Sequence, residues 1–375
     1  MTEQSSLQAV MHQCLRTYRQ SHRLSPRQWQ VCSHVLACRT PVMGGFELQC
    51  DHCDDHAWLY HACRDRHCPR CQRQASEDWC ERQQAAVLPV TYYHLVFTLP
   101  HQLNAWIRLH PRCLQGLLFE CAWATLSAFG ADPKRLNGKM GMTAVLHTWG
   151  QTLTRHVHLH CLVPGGAVAA SGQWHQAKST YLFPVRALSR RFRGRFVSRL
   201  HHCIEAGELK RLTDPEQINA TLDQLMQGDW NVYAKPCLSR TDTVVRYLAR
   251  YSHRIALSDA RILSFERDQV RLAYRDYRNG AQRSVLHLSG EELIRRFLLH
   301  VQPKGFMRIR HYGFLANCCR SQRLEQIRKA IKAPPAPAQE PLEPPGPFEG
   351  YSCPKCRQGC LHVIAQLQPL RDEGR

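Results

Sequence analysis

Apolar and polar positions change their period several times along the chain, and each change marks an element. From Tyr92 to Leu99 the run is almost wholly aromatic, β-branched or leucine, and Pro100 closes it, as a buried strand would be closed. A helical period follows from Leu103 to Phe129. Met142–Trp149 is a second strand candidate, and after a short turn His156, His158 and His160 alternate with Val157, Leu159 and Cys161 until Pro164-Gly165-Gly166. Those two strands are expected to form a hairpin. Residues 187–227 read mostly as helix, 229–238 as strand and 246–254 as helix. Beyond Leu257, Ile262–Phe265 and Gln269–Tyr274 resemble another hairpin, and Glu291–Val301 a short helix. The order strand, helix, paired strands, helix, strand, helix predicts an α+β domain with a central, mainly antiparallel sheet and helices packed on it.

The same reading divides the chain. Residues 1–90 are helix-like, then dense in cysteine and histidine, then helix-like again up to Pro89, which reads as one metal-bearing module. Residues 91–260 form the sheet domain, 261–332 its C-terminal continuation, 333–350 a proline-rich linker, and 351–375 a tail carrying Cys353 and Cys356. At 375 residues and 43% hydrophobic, the chain holds material for two or three cores. The N-terminal Met1–Ser6 shows no basic start followed by an apolar core, and no apolar run reaches the roughly 18 residues of a membrane span. A cytoplasmic, thiol-reducing compartment without a membrane partner is therefore expected.

Charge points to the partner. Fifty Lys and Arg against thirty Asp and Glu leave a formal charge of +20, with arginine dominant, which favours ligands that offer phosphates to a guanidinium fork. In a reducing compartment the nineteen cysteines read as metal ligands wherever they pair at short spacing. Cys50 and Cys53 are separated by fourteen residues from Cys68 and Cys71, close to the spacing at which two thiolate knuckles close one tetrahedral zinc site. Cys63, His56, His61 and His67 lie inside that loop, and Cys63 or His67 could replace a ligand. Cys353 and Cys356 are half of a second knuckle, with Cys360 and His362 following and Cys318 and Cys319 upstream. Cys32, Cys38, Cys113, Cys121, Cys161, Cys203 and Cys237 have no paired spacing and read as buried thiols.

Two segments carry candidate chemistry. On a strand, His158 and His160 stand about 7 Å apart at Cα and can converge on one cation, whereas His156 lies about 13 Å from His160 and cannot share it. A hairpin turn centred near Thr152 would put His147 opposite His158, making it the preferred third ligand, with Gln151 the next candidate. In the second segment, Tyr247 and Tyr251 project from one side of a helix about 6 Å apart. Arg246, Arg250 and Arg254 share a stripe beside them, where like charges repel unless an anion such as a phosphodiester runs along it. A phenol with a pKa of about 10 is a weak nucleophile near neutrality, and a cation polarising the phosphate would compensate. Magnesium or manganese suits a site of two histidines and a third polar ligand with open positions, while zinc suits the cysteines.

The paired histidines and paired tyrosines resemble the HUH endonuclease superfamily, specifically the two-tyrosine rolling-circle transposases of the insertion sequence 91 family. Cys63–Gln72 resembles that family's zinc-binding domain, His158–Val163 its metal strand, Tyr247–Tyr251 its tyrosine helix and His311–Asn317 a further recurring stretch. Val157 departs from the proline expected in many members. The resemblance implies an HUH-type antiparallel sheet flanked by helices behind an N-terminal zinc-binding domain. It implies a bacterial, nucleoid-associated transposase cutting single-stranded DNA at transposon ends and target. One tyrosine would attack a phosphodiester, leaving a 5′-phosphotyrosine and a free 3′-hydroxyl, with the second serving the other strand. No nucleotide triphosphate is needed, in keeping with the absence of a phosphate-loop motif. The alternatives are a non-catalytic zinc-dependent DNA-binding protein, and a relaxase or replication initiator of the same superfamily.

Overall fold

The computed structural model describes residues 5–72, 87–177, 181–238, 256–335 and 350–370. In chain order come the helices α1 (Leu7–Ser21) and α2 (Pro26–Ala37), the strands β1 (Gly45–Cys50), β2 (His56–Tyr60) and β3 (Tyr92–Thr98), and the helices α3 (Asn104–Leu109) and α4 (Pro111–Ala131). Next are β4 (Gly141–Trp149), β5 (Arg155–Pro164), β6 (Gly166–Val168), β7 (Trp174–Gln176), α5 (Val185–Glu205), α6 (Pro215–Met226) and β8 (Val232–Leu238). The last are β9 (Ile262–Glu266), β10 (Gln269–Asp276), β11 (Gln282–Ser289), α7 (Gly290–Leu298), β12 (Ile309–Gly313), α8 (Arg320–Ala330), β13 (Tyr351–Ser352) and β14 (Cys360–Leu367). They fall into two compact units, one of residues 76–256 and 302–337, the other of 1–75, 257–301 and 338–375.

The first unit is built on a five-stranded antiparallel sheet in the order β12-β4-β5-β3-β8. Alternation along the strands separates its faces. Leu95 and Phe97, Ala144 and Leu146, and Leu159 and Cys161 are all fully buried on one face and join Leu114, Leu118, Phe192, Phe196 and Leu200 of α4 and α5 in a single core. Phe192 and Phe196 meet Trp230 at ring separations of 5.4 and 5.3 Å, and Trp230 donates to the Leu225 carbonyl that ends α6. The opposite face carries the histidines. The helix expected from 187 to 227 is two helices, because Gly207 turns at φ +69° and Asp214 then caps a new start by accepting from the Glu216 and Gln217 amides ahead of Pro215. Gly313, at φ +61°, ends β12 so close to the Met140 carbonyl that a Cβ could not be accommodated, which explains why that stretch needs glycine.

The second unit draws on three separated pieces of chain. In α1 the buried residues Leu7, Val10, Met11, Cys14, Leu15 and Tyr18 form one stripe at helical spacing, packed against α7. A capping box between Ser25 and Gln28 starts α2. The β1–β2 hairpin is extended by the tail: β14 pairs with β1 from Gly45↔Leu367 to Cys50↔Leu361, giving a sheet in the order β13-β14-β1-β2. Residues 257–301 belong to this unit, where β9 and β10 gain a third strand, β11. The sequence conceals β11 because Arg283, Ser284 and His287 interrupt its apolar positions. The tail contributes β13 and β14 to this sheet.

Phe192→Ala removes a fully buried ring from the centre of the sheet unit's core. It is expected to destabilise the protein by about 3–5 kcal/mol in urea or guanidinium unfolding.

Candidate metal centres

Pairing of β4 with β5 sets His147 opposite His158 and Val145 opposite His160, so the three rings share the sheet face turned away from the helical core. One nitrogen from each of His147, His158 and His160 lies within 4.8 Å of the others. The His158 Nδ1–H donates to the His156 carbonyl at 2.8 Å, which leaves the His158 Nε2 lone pair bare. That atom faces His160 Nε2 at 3.1 Å. Two nitrogens held about 2.0–2.1 Å from a shared ion stand about 2.9 Å apart in octahedral geometry and about 3.3 Å apart in tetrahedral geometry, so the pair fits a cation without selecting one. His147 is buried and stacks on Trp149, ring centroids 4.4 Å apart. Gln151 falls in the turn between the strands, where the Gly150 amide bonds the Thr154 carbonyl. His156 is exposed and contributes its carbonyl.

Neighbours on the same face complete the setting. His94 of β3, which sequence reading treated as one more residue of a buried strand, places its Nε2 2.8 Å from His160 Nδ1. His311 of β12 bonds Thr143 Oγ1 at 2.9 Å. Burial pushes His94, His158 and His311 down to about 4, with the charge of His156 adding to the effect on His158 and that of Arg320 on His311. At neutral pH these rings are uncharged, the form that binds metal. Tyr233 and Lys235 of β8 share this face; Tyr233 is exposed and its ring lies edge-on to His94 at 6.2 Å. Tyr247, Tyr251, Arg246, Arg250 and Arg254 lie outside the described residues.

The cysteines form two clusters, and their partners differ from those expected. Cys50 and Cys53 do not close a site with Cys68 and Cys71. Cys68 and Cys71 gather with Cys38 and Cys63, and Cys50 and Cys53 with Cys353 and Cys356. The physical reason is the strand pairing: β14 runs beside β1 and brings the tail's knuckle to the end of the β1–β2 hairpin, while Cys38 at the end of α2 faces the second knuckle. Sulfur separations of 3.6 Å (Cys38–Cys71 and Cys63–Cys71), 3.7 Å (Cys50–Cys356) and 3.8 Å (Cys53–Cys353) match the edge of about 3.8 Å in a tetrahedron of sulfurs about 2.3 Å from zinc. The donor set therefore fits zinc in both clusters. Within the first, hydrogen bonds from its neighbours hold Cys38 far below the usual thiol range, whereas those around Cys68 push it up. Only a cation lets all four sulfurs be thiolates together.

His67 is not among the gathered ligands. Its amide and Nδ1 both bond Asp65 Oδ1 at 2.9 Å, and His34 and Arg27 reach the other oxygen of the same buried carboxylate. Burial works to raise Asp65, but the hydrogen bonds from His67 and His34 hold it well below the usual carboxylate range. His56 bonds Glu47, His61 meets the Phe46 ring edge-on, and His362 bonds Asp51. Cys318 is exposed, and Cys319 bonds backbone carbonyls of Gly313 and Ala316. Cys38 was missed because nothing in its local spacing marks it.

Comparisons with known proteins give the family. A family model described as "Transposase zinc-binding domain" matches residues 10–99, and one described as "Putative transposase" matches residues 141–322. The chain is 41% identical over 364 residues, 92% of each chain, to the protein named "Putative transposase y4qJ" of Sinorhizobium fredii (strain NBRC 101917 / NGR234). It is 29% identical over 322 residues, 82% of this chain and 75% of the relative, to the "Transposase for insertion sequence element IS801" of Pseudomonas savastanoi pv. phaseolicola. No solved structure matches. The class is thus a transposase with an N-terminal zinc-binding domain, a DNA-processing protein. The chain belongs to the insertion sequence 91 family of transposases. Among the described residues no helix is long and apolar enough to cross a membrane.

Elemental analysis of the purified full chain is expected to find about two zinc ions, with Cys38→Ser and Cys353→Ser each removing about one. A single site of Cys50, Cys53, Cys68 and Cys71 would leave zinc unchanged in both variants. The neutral histidines add a pH dependence of known sign. Their folded pKa lies below the unfolded value of about 6.5, so their contribution is complete above that pH and is lost as pH falls toward about 4. Urea unfolding across this window should show wild-type stability falling more steeply than that of His311→Gln, by about one proton's worth of slope.

Proposed function

We propose that this chain cuts and rejoins single-stranded DNA at the ends of its element and at the target by rolling-circle-type transposition, with Tyr247 and Tyr251 as nucleophiles. The observation that carries the reading is the convergence of His147, His158 and His160 on one sheet face of a transposase. Bound there, magnesium or manganese would polarise the scissile phosphate and stabilise the charge developing on it. His158 and His160, with His147, would hold the ion and leave positions for phosphate oxygens.

The attacking tyrosine gives up its phenolic proton to solvent as its oxygen bonds to phosphorus. The bond from phosphorus to the 3′-oxygen breaks, the leaving oxygen takes a proton, and a 5′-phosphotyrosine remains. Because the phosphodiester is exchanged rather than hydrolysed, a 3′-hydroxyl can later reverse the step on another strand. Arg246, Arg250 and Arg254 would follow the phosphates. On the histidine face, exposed Tyr233 beside Lys235 offers a ring for a base and a charge for its phosphate, the combination that binds single strands.

The test incubates full-length protein with labelled single strands from the element's ends and Mn²⁺ or Mg²⁺, followed by denaturing gels. A protein–DNA adduct is expected that EDTA and His160→Ala abolish and that Tyr247→Phe or Tyr251→Phe alters strand by strand. Tyr233→Ala should weaken single-strand binding by about 1–3 kcal/mol, with Tyr233→Phe restoring it. Absence of any adduct, with metal-independent DNA binding intact, would instead support a non-catalytic DNA-binding protein.

A further inference from the structure

We propose that His94 is a positioning residue for the histidine centre, accepting the Nδ1–H of His160 and so aiming the His160 Nε2 lone pair at the ion. This rests on the reading of His147, His158 and His160 as a metal centre. The contact is 2.8 Å from His94 Nε2 to His160 Nδ1. The two rings are tilted by only 12°, with centroids 5.1 Å apart. That separation is the nitrogen contact plus little more than the two ring radii, so the rings lie end to end in nearly one plane, the geometry of a linear N–H···N bond.

The direction of this bond follows from the other end of His160. Its Nε2 faces His158 Nε2 at 3.1 Å, within the group of nitrogens that would share the cation. A neutral imidazole that coordinates through Nε2 must carry its proton on Nδ1, and His94 Nε2 is the acceptor placed to receive it. His94 then keeps its own proton on Nδ1.

The two central ligands are thus anchored in different ways. His158 is held by a backbone carbonyl, that of His156, which no side-chain change removes. His160 is met at Nδ1 by a side chain from the neighbouring strand, that of His94. Register explains the placement: Val96 sits directly opposite His160, and His94, two residues earlier on the same face, reaches it diagonally. His94 is buried, and the Tyr233 ring edge packs on it at 6.2 Å and 64°, which restrains its rotation. A neutral acceptor has a further consequence. A carboxylate in this position would bring a negative charge toward the incoming phosphate, whereas imidazole orients the ligand and leaves the cation's charge undiminished.

The test measures Mn²⁺ binding to the full, zinc-loaded chain by electron paramagnetic resonance for wild type, His94→Leu and His94→Gln. Long-range ¹H–¹⁵N spectra report the His160 tautomer in the same proteins. His94→Leu is expected to bind Mn²⁺ about 10–100-fold more weakly and to show His160 as a mixture of tautomers. His94→Gln, whose Oε1 can accept where Nε2 did, should recover most of the affinity and the Nδ1–H form. Unfolding midpoints of the three proteins separate a local effect from a damaged fold. Equal Mn²⁺ affinity in wild type and His94→Leu would overturn the proposal, as would equal weakness of the Leu and Gln variants, which would make the ring mere filling. If wild type itself binds no Mn²⁺, the metal-centre reading falls and the role of His94 falls with it.

Discussion

The pairing of β4 with β5 is the constraint on which the rest of the sheet unit depends. Side chains alternate strictly along a strand, so a one-residue slip would turn every histidine of β5 into the helical core and send Leu159 and Cys161 outward. The apolar face prevents this. Leu146 opposite Leu159 and Ala144 opposite Cys161 are buried against α4 and α5, and the same register that satisfies them sets His147 opposite His158. Hydrophobic burial on one side of the sheet therefore aligns the ligand nitrogens on the other. The addition of β3 on the far edge of β5 extends the same logic to His94, and β12 on the far edge of β4 extends it to His311.

The other unit solves a different problem, that of holding together three distant pieces of chain. Its sheet is short, and strand pairing alone between β1 and β14 would be a modest tie. The two tetrathiolate clusters reinforce it at both ends of the β1–β2 region: one joins the end of α2 to the Cys63–Cys71 loop, the other joins the hairpin turn to the tail. A cation is what makes each cluster favourable, because four thiols this close cannot all ionise without it. Metal bound at these clusters would therefore stabilise the folded unit, and the tail is structurally part of the N-terminal zinc-binding region although some three hundred residues separate them in the chain.

The histidine face shows how burial prepares chemistry. Imidazoles removed from water resist protonation, which keeps their lone pairs available at neutral pH. Each central ring also has a hydrogen-bond partner at Nδ1; the His156 carbonyl fixes the tautomer of His158, and His94 is placed to accept from His160 when its Nε2 coordinates an ion. In the function proposed here, pre-set ligands would spare the site the cost of reorganising as charge develops on a phosphate, which is where a phenol nucleophile would gain most.

Much of this was legible in the sequence, where the physics is local. Alternation and helical period marked β3, β4, β5, β8 and the main helices, and a short turn at Thr152 was enough to predict that His147 opposes His158, since hairpin register follows from loop length. Short Cys-x-x-Cys spacing identified Cys50, Cys53, Cys68, Cys71, Cys353 and Cys356, because two thiols three residues apart can share an ion within one turn of chain. What the sequence alone left open is which knuckle meets which. That depends on β14 pairing with β1, a contact across the whole chain, and on Cys38 at a helix end with no local signature. The role of His94 was hidden for the same reason: a single histidine in an apolar strand gains meaning only when β3 is laid beside β5. Local period decides which face a side chain occupies, but only the tertiary packing of distant strands decides what stands across from it.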